Sequence, residues 1–271
     1  KKKDKLIHDF KKYSYLNIGS GIEVFETFLN IDHFPYSKSF KYALVDLKLN
    51  NGLGDVVLKN RKIYSENLEK IAAVGADNTT VLTHELGTNN FRAFDVNAQG
   101  INSPNFVSEG ATFVSEESMP GYIKYAAGGD KIAHAYNSGG AFIDYLRADS
   151  TGAYESALID VNFGGEVYGI EFSPSTDYLY ATIINGGTSQ LVQIPVLDSY
   201  TIADIENPDS VTVADLDFVA GAIQTGPDGQ LYAAADNSGD VYTIGSADNR
   251  FQPDQGANLA SSLQPFNLSG R

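Results

Sequence analysis

The chain has 271 residues, 42% of them hydrophobic, with a formal net charge of −15 and no cysteine. That is apolar chain enough for one large core or two modest ones, and no run approaches the roughly 20 apolar residues of a membrane helix. The acidity argues against nucleic acid, which needs a basic surface, and disulfide and thiol chemistry are excluded, while the redox compartment stays open.

Sixteen tyrosines, fifteen phenylalanines and twenty-six glycines lean toward an all-β chain rich in turns. The opening KKKDKLIHDFKK, residues 1–12, is a basic arm with the charge of a signal-peptide n-region, but no apolar segment follows. Any export signal is therefore expected outside this stretch of chain. Charge is uneven: residues 1–92 hold 14 Lys/Arg against 11 Asp/Glu, and residues 93–271 hold 5 against 23. The plain reading of the acidic part is solvation, and the sharper one is attraction of cations.

A first unit runs from about residue 13 to 64, with YSYLNIGSGIEVF followed by KYALVDLKLNNGLGDVVLKN. Four later segments then restate one another. They are IAAVGADNTTVLTHE from Ile71, YIKYAAGGDKIAHAY from Tyr122, GIEFSPSTDYLYATI from Gly169 and AIQTGPDGQLYAAAD from Ala222. Aligned on the turn, Gly75, Ala126, Ser173 and Gly226 share one column, at intervals of 51, 47 and 53 residues. Each segment reads as strand, tight turn, strand, with turn residues suited to hairpin dihedrals. A second hairpin turned by Asn, Gly and Ser follows each. IADIENPDSVTVADLDF is ambiguous between helix and strand, and Pro208 cuts it.

Four short strands per unit of about 50 residues is the mark of a β-propeller blade. The expected blades are 13–64, 65–115, 116–163, 164–215 and 216–271. Two stacked β-sandwiches are the rival arrangement. Five units are fewer than the commonest rings, so a fragment of a larger propeller is expected.

LNNGLGDVVLKN, THELGTNNFRAFDV, YGIEFSPSTDYLYAT and TGPDGQLYAA follow one another in a familiar order. Over about residues 40–271 the chain resembles the propeller region of large Bacteroidota cell-surface proteins that end in a gliding-motility-associated, type IX secretion sorting domain. Ser175-Thr176 stands where the usual turn has Asp-Gly. The resemblance implies a secreted or cell-surface location, neighbouring domains of a longer parent chain, and contact with the type IX machinery through a domain outside this sequence. It implies no characterised reaction.

Candidate binding residues are His84, Glu85, Asn89, Asn90 and His134. His84-Glu85 lacks the second His, four residues on, that would make a zinc-protease helix. His134 stands in the equivalent repeat column, so the two histidines are expected on one ring face. Asn89 and Asn90 of GTNNF are either turn formers or hydrogen-bonding groups for sugar hydroxyls. Asp215, Asp217, Asp236 and Asp240 supply oxygen ligands suited to calcium but no complete EF-hand loop; acidic turns are the plainer reading. No nucleophile elbow, phosphate loop or dinucleotide fingerprint appears.

Three functions follow: a non-catalytic extracellular module binding a glycan or a protein, a propeller hydrolase of the lactonase kind using His84, His134 and Glu171, or a spacer in a larger adhesin. Fold alone does not choose among them.

Overall fold

A computed structural model of the chain describes residues 15–17, 27–30, 39–46, 48–65, 67–75, 79–97, 100–102, 105–109, 121–208, 211–226, 228–236, 240–244, 247–249 and 263–265. The basic arm 1–12, the turn residues 76–78 and 237–239, and FNLSGR at the end lie outside them. The chain divides into two compact units, Lys1–Phe106 and Val107–Arg271.

In the first unit, β1 (Tyr15–Asn17), β2 (Thr27–Asn30), β3 (Ser39–Asp46) and β4 (Asp55–Ser65) pair in chain order into a four-stranded antiparallel sheet. Between β3 and β4 the backbone is left-handed at Asn50, Asn51, Gly52 and Gly54, residue types that visit this region at small cost. A second sheet follows the order β5 (Asn67–Val74), β6 (Thr79–Glu85), β7 (Asn90–Asn97) and β8 (Gly100–Ile101). It carries a fifth strand, β9 (Asn105–Glu109), also paired with β7, where the repeat predicts four. Val81 and Phe94 are fully buried in the core of this unit, with Tyr42, Tyr64 and Ile71 packed around them.

The second unit holds three consecutive four-stranded antiparallel sheets. The first is β10 (Ile123–Tyr125), β11 (Lys131–Asn137), β12 (Ala141–Ala148) and β13 (Tyr154–Asp160). The next is β14 (Glu166–Phe172), β15 (Tyr178–Asn185), β16 (Thr188–Pro195) and β17 (Thr212–Leu216), with the short helix α1 (Ile202–Glu206) before its last strand. The third is β18 (Ala220–Thr225), β19 (Leu231–Ala235), β20 (Val241–Ile244) and β21 (Leu263–Pro265). The ambiguous IADIENPDSVTVADLDF thus splits into α1 and β17. Thr201 and Asp204 form a reciprocal capping box at the helix start, and Pro208, with no N–H, lies just beyond its end.

The middle sheet shows why the sequence repeats itself. Alternate residues of a strand point to opposite faces. Along β15, Leu179, Ala181 and Ile183 join Ile143, Tyr145 and Ile159 of the preceding sheet in one core. Tyr178 and Tyr180 of the same strand join Leu231, Ala233 and Ile244 of the following sheet in another. On β16, Val192 and Ile194 face one way and Leu191 the other. A sheet buried on both faces reads as a nearly unbroken apolar run, as YLYATII does. Burying each such Leu or Ile contributes roughly 1.5–3 kcal/mol, so this sheet would lose much of its stability with one face in water.

The first hairpin of each sheet in the second unit closes alike. The amides of Ala126, Ser173 and Gly226 donate to the carbonyls of Lys131, Tyr178 and Gln230. Three residues after each, a left-handed residue makes the bend: Gly129 (φ 76°), Thr176 (φ 63°) and Gly229 (φ 77°). Thr176 is the one β-branched occupant, and the left-handed region strains its branched Cβ.

Candidate binding site

In the first unit, Glu85 ends β6 and Asn90 begins β7, so the hairpin between them brings the two together. Asn90 Nδ2 donates to Glu85 Oε2 at 3.0 Å, and Arg92 Nη2 donates to the same oxygen at 2.9 Å. The Tyr64 hydroxyl donates to Glu85 Oε1, and the Arg92 guanidinium lies 5.4 Å from the Tyr64 ring centroid. Burial pulls the Glu85 carboxyl upward, but the hydrogen bonds from Tyr64, Asn90 and Arg92, with the Arg92 charge, hold it below the ordinary glutamate value. Tyr64 is pushed up by burial and by its bond to Glu85. GTNNF therefore places a locked charged hairpin, with Asn89 half-buried in the bend.

His84, one residue earlier, points to the opposite face. It is 0% exposed, and its ring meets Phe91 edge-on at 4.7 Å. Burial lowers it to about 3, so it is neutral at physiological pH. His134 belongs to the second unit, on β11, opposite Ile123 and Asp144 in its sheet. It too is 0% exposed. Both histidines are on the second strand of their sheets, and both are interior.

Asp215 lies exposed on β17, where its Oδ1 accepts from Gln190 Nε2 at 2.9 Å. Asp217 follows in an exposed bend. Asp236 and Asp240 are exposed, with the Asp240 carbonyl accepting from the Ala235 amide at 3.1 Å. Among the described residues, no three His, Asp or Glu side chains gather into a group that can hold a metal.

A second polar cluster joins the first strands of the three sheets in the second unit. Lys124 of β10 donates from Nζ to Glu171 Oε2 on β14 at 2.8 Å and to Gln224 Oε1 on β18 at 2.7 Å. Glu171 also accepts from the Thr225 amide at 3.2 Å and the Phe172 amide at 3.1 Å. The Lys124 and Glu171 side chains are 12% and 7% exposed, whereas Gln224 is on the surface. Tyr122 and Tyr168 stand beside them, their rings edge-to-face at 5.5 Å, with Lys124 Nζ 5.6 Å from the Tyr122 centroid.

Glycine sets how closely these strands come together. A Cβ on Gly169 would run into the Gly221 carbonyl oxygen and lie 2.9 Å from the Ile223 nitrogen, so β14 and β18 approach as only a glycine permits.

Sequence reasoning singled out Glu171 but missed Lys124, Gln224, Tyr122 and Tyr168. A signal was present. Counted from the aligned turn residues Ala126, Ser173 and Gly226, the three cluster residues all fall two positions upstream.

The class these sheets define is all-β and propeller-like, built of antiparallel four-stranded sheets. No protein-family model matches the sequence, and no curated protein matches it. Among solved structures, the chain is similar to a candidate 6-phosphogluconolactonase from Bacteroides fragilis, at 14% identity and a TM-score of 0.54, covering 92% of this chain and 68% of that one. A second candidate 6-phosphogluconolactonase, from Bacteroides uniformis, is 16% identical with a TM-score of 0.49, covering 81% of this chain and 64% of that one. Hydrazine synthase from Kuenenia stuttgartiensis is 13% identical with a TM-score of 0.49, covering 76% and 65%. The chain thus spans about two thirds of the length of these structures. At such identities the likeness concerns fold alone.

Proposed function

We propose that the chain is a non-catalytic propeller module of a secreted or cell-surface protein, binding a glycan or a protein within a longer adhesin-like parent. The observation that supports this reading is the state of its titratable groups. Glu171, the acid on a first strand, is held by Lys124 and two backbone amides, and His84 and His134 are interior. A general base or nucleophile needs reach to a substrate atom, and these groups are committed to the protein itself. A ring of five or more blades completed by further chain, and export through the type IX route, belong to the same proposal.

The test is a screen of the purified chain on glycan and protein arrays, with calcium and again with chelator. Specific binding supports the module, and loss on chelation promotes the aspartate turns to metal sites. A specific turnover at ordinary enzyme rates, roughly 1–1,000 per second, overturns it.

The second reading is a lactonase-type hydrolase. The placing of a carboxylate and an ammonium together on first strands favours it, and the candidate 6-phosphogluconolactonase function of the Bacteroides fragilis relative suggests the assay. Lactone hydrolysis that Glu171→Gln abolishes in a folded chain would establish this reading; the first predicts none.

A further inference from the structure

We infer that Lys124, Glu171 and Gln224, with the rings of Tyr122 and Tyr168, form a binding site for a neutral, polyhydroxylated ring: a glycan without acidic substituents. This rests on the binding-module reading above and gives it a place and a ligand class.

The repeat itself separates packing from recognition. Three positions upstream of the turn residue stand Ile123, Ile170 and Ile223, each about 1% exposed or less. One residue later, on the opposite face of the same strands, the side chain is an ammonium, a carboxylate and an amide in turn. Across the three sheets of the second unit the packing position is always isoleucine, whereas its polar neighbour changes each time; the first unit has Ala72 and Ala73 in these two columns. A carboxylate oxygen and an amide oxygen are both brought within 2.8 Å of the Lys124 nitrogen.

The chemistry left over points to hydroxyl groups. Two of the three Lys124 hydrogens go to Glu171 and Gln224, and the Gln224 amide nitrogen, on the exposed side, has no hydrogen-bond partner among the described residues. Donors and acceptors of both signs on one small patch suit hydroxyls, which give and take hydrogen bonds alike. Tyr122 and Tyr168 add aromatic surface, apolar in body and polar at the tip.

Charge decides against an acidic ligand. The Lys124 cation lies 2.8 Å from the Glu171 carboxylate, so the patch is close to neutral. The unit that holds it, residues 107–271, carries 22 acids against 5 bases. The other described cations of the unit are occupied elsewhere: Lys131 pairs with Asp198 and backbone carbonyls, and Arg147 donates to the Tyr200 carbonyl. An anion would meet repulsion with no spare cation to answer it, whereas a neutral ring does not.

Titration calorimetry of the full chain would use cellohexaose, mannohexaose and galactohexaose as neutral probes and hexagalacturonate as the acidic one. The expected result is binding of at least one neutral probe, unaffected by moderate salt, and none of hexagalacturonate. Gln224→Ala, at an exposed position, is expected to weaken that binding about 5- to 10-fold, the worth of one hydrogen bond, with the melting temperature unchanged. Lys124→Met should remove it, and Gln224→Ala keeps the test alive if that variant fails to fold. Preference for hexagalacturonate, neutral binding untouched by Gln224→Ala, or no binding of any probe overturns the inference. In the last case a protein ligand found on the arrays would leave the module reading standing; catalytic turnover would remove both.

Discussion

Lys131 is the residue whose removal most directly tests how the sheets of the second unit are tied together. It opens β11 with its side chain 1% exposed, yet its ammonium reaches the next sheet. There it donates to the Thr176 carbonyl at 2.9 Å, the Val196 carbonyl at 3.3 Å and Asp198 Oδ1 at 2.6 Å. The shortest of these contacts is expected to matter least. The Asp198 side chain is 81% exposed, and exposed ion pairs are worth about 0–1 kcal/mol. The carbonyl bonds, one buried and one partly buried, are charge-assisted, about 1.5–3 kcal/mol each, set against the several kcal/mol it costs to desolvate an ammonium. Lys131→Met keeps the aliphatic stem, so the loss is mostly polar, and about 2 kcal/mol is expected net. For a unit of this size that is a fall of roughly 4–8 °C in melting temperature. Asp198→Asn should cost less than about 1 kcal/mol. The Lys131 hydrogen bond, then its charge, holds the Asp198 carboxyl below its ordinary value of 3.8. That contribution is therefore present above pH 3.8 and lost as pH falls through the lower folded value, and Lys131→Met should remove this acid limb. Urea unfolding followed by circular dichroism measures all three quantities. If Asp198→Asn costs as much as Lys131→Met, or Lys131→Met is neutral, the ordering argued from burial is wrong.

Four further expectations concern single residues. His84, lowered from 6.5 to about 3 by burial, binds its proton more readily when unfolded, so stability should fall as pH drops from 6.5 toward 3, by on the order of 4 kcal/mol; a His84→Leu variant with an unchanged pH–stability slope would contradict this. Glu85, held below 4.5, contributes stability above that pH and loses it on further acidification, so Glu85→Gln should flatten the acid limb and cost about 1–2 kcal/mol at neutral pH, read by urea titration. Thr176→Gly relieves a left-handed threonine (φ 63°) and should be neutral or stabilising by up to about 1 kcal/mol, since glycine's own chain entropy offsets part of the gain; a clear loss in melting temperature would refute the strain. Gly169→Ala forces a Cβ onto the Gly221 carbonyl and should cost about 1–3 kcal/mol or more, whereas Gly187→Ala, with open space around it and no left-handed φ, should cost little.

What could be read from the sequence, and what could not, divides along the faces of the strands. The hairpins were legible because their signals are local: Gly129 and Gly229 bend the chain where the turn residues predict, and Pro208 marks the gap between α1 and β17. The sheet cores were legible because YLYATII and its counterparts repeat at intervals of 51, 47 and 53 residues, and a two-sided core demands apolar residues on both faces. The polar ties were not, because each is local in space but distant in sequence: Lys124 meets Glu171 47 residues on and Gln224 100 residues on. His84 and Glu85 show the limit most plainly. Adjacent in sequence, they read as one polar dipeptide, but strand alternation sends the histidine against Phe91 and the acid to Tyr64, Asn90 and Arg92. The aligned repeat already held the remedy. Within it, a column of unlike polar residues beside a column of isoleucines separates the face that can vary its chemistry from the face that must pack. Applied to Lys124, Glu171 and Gln224, that contrast finds the cluster from the sequence alone, and the geometry adds only that the three residues touch.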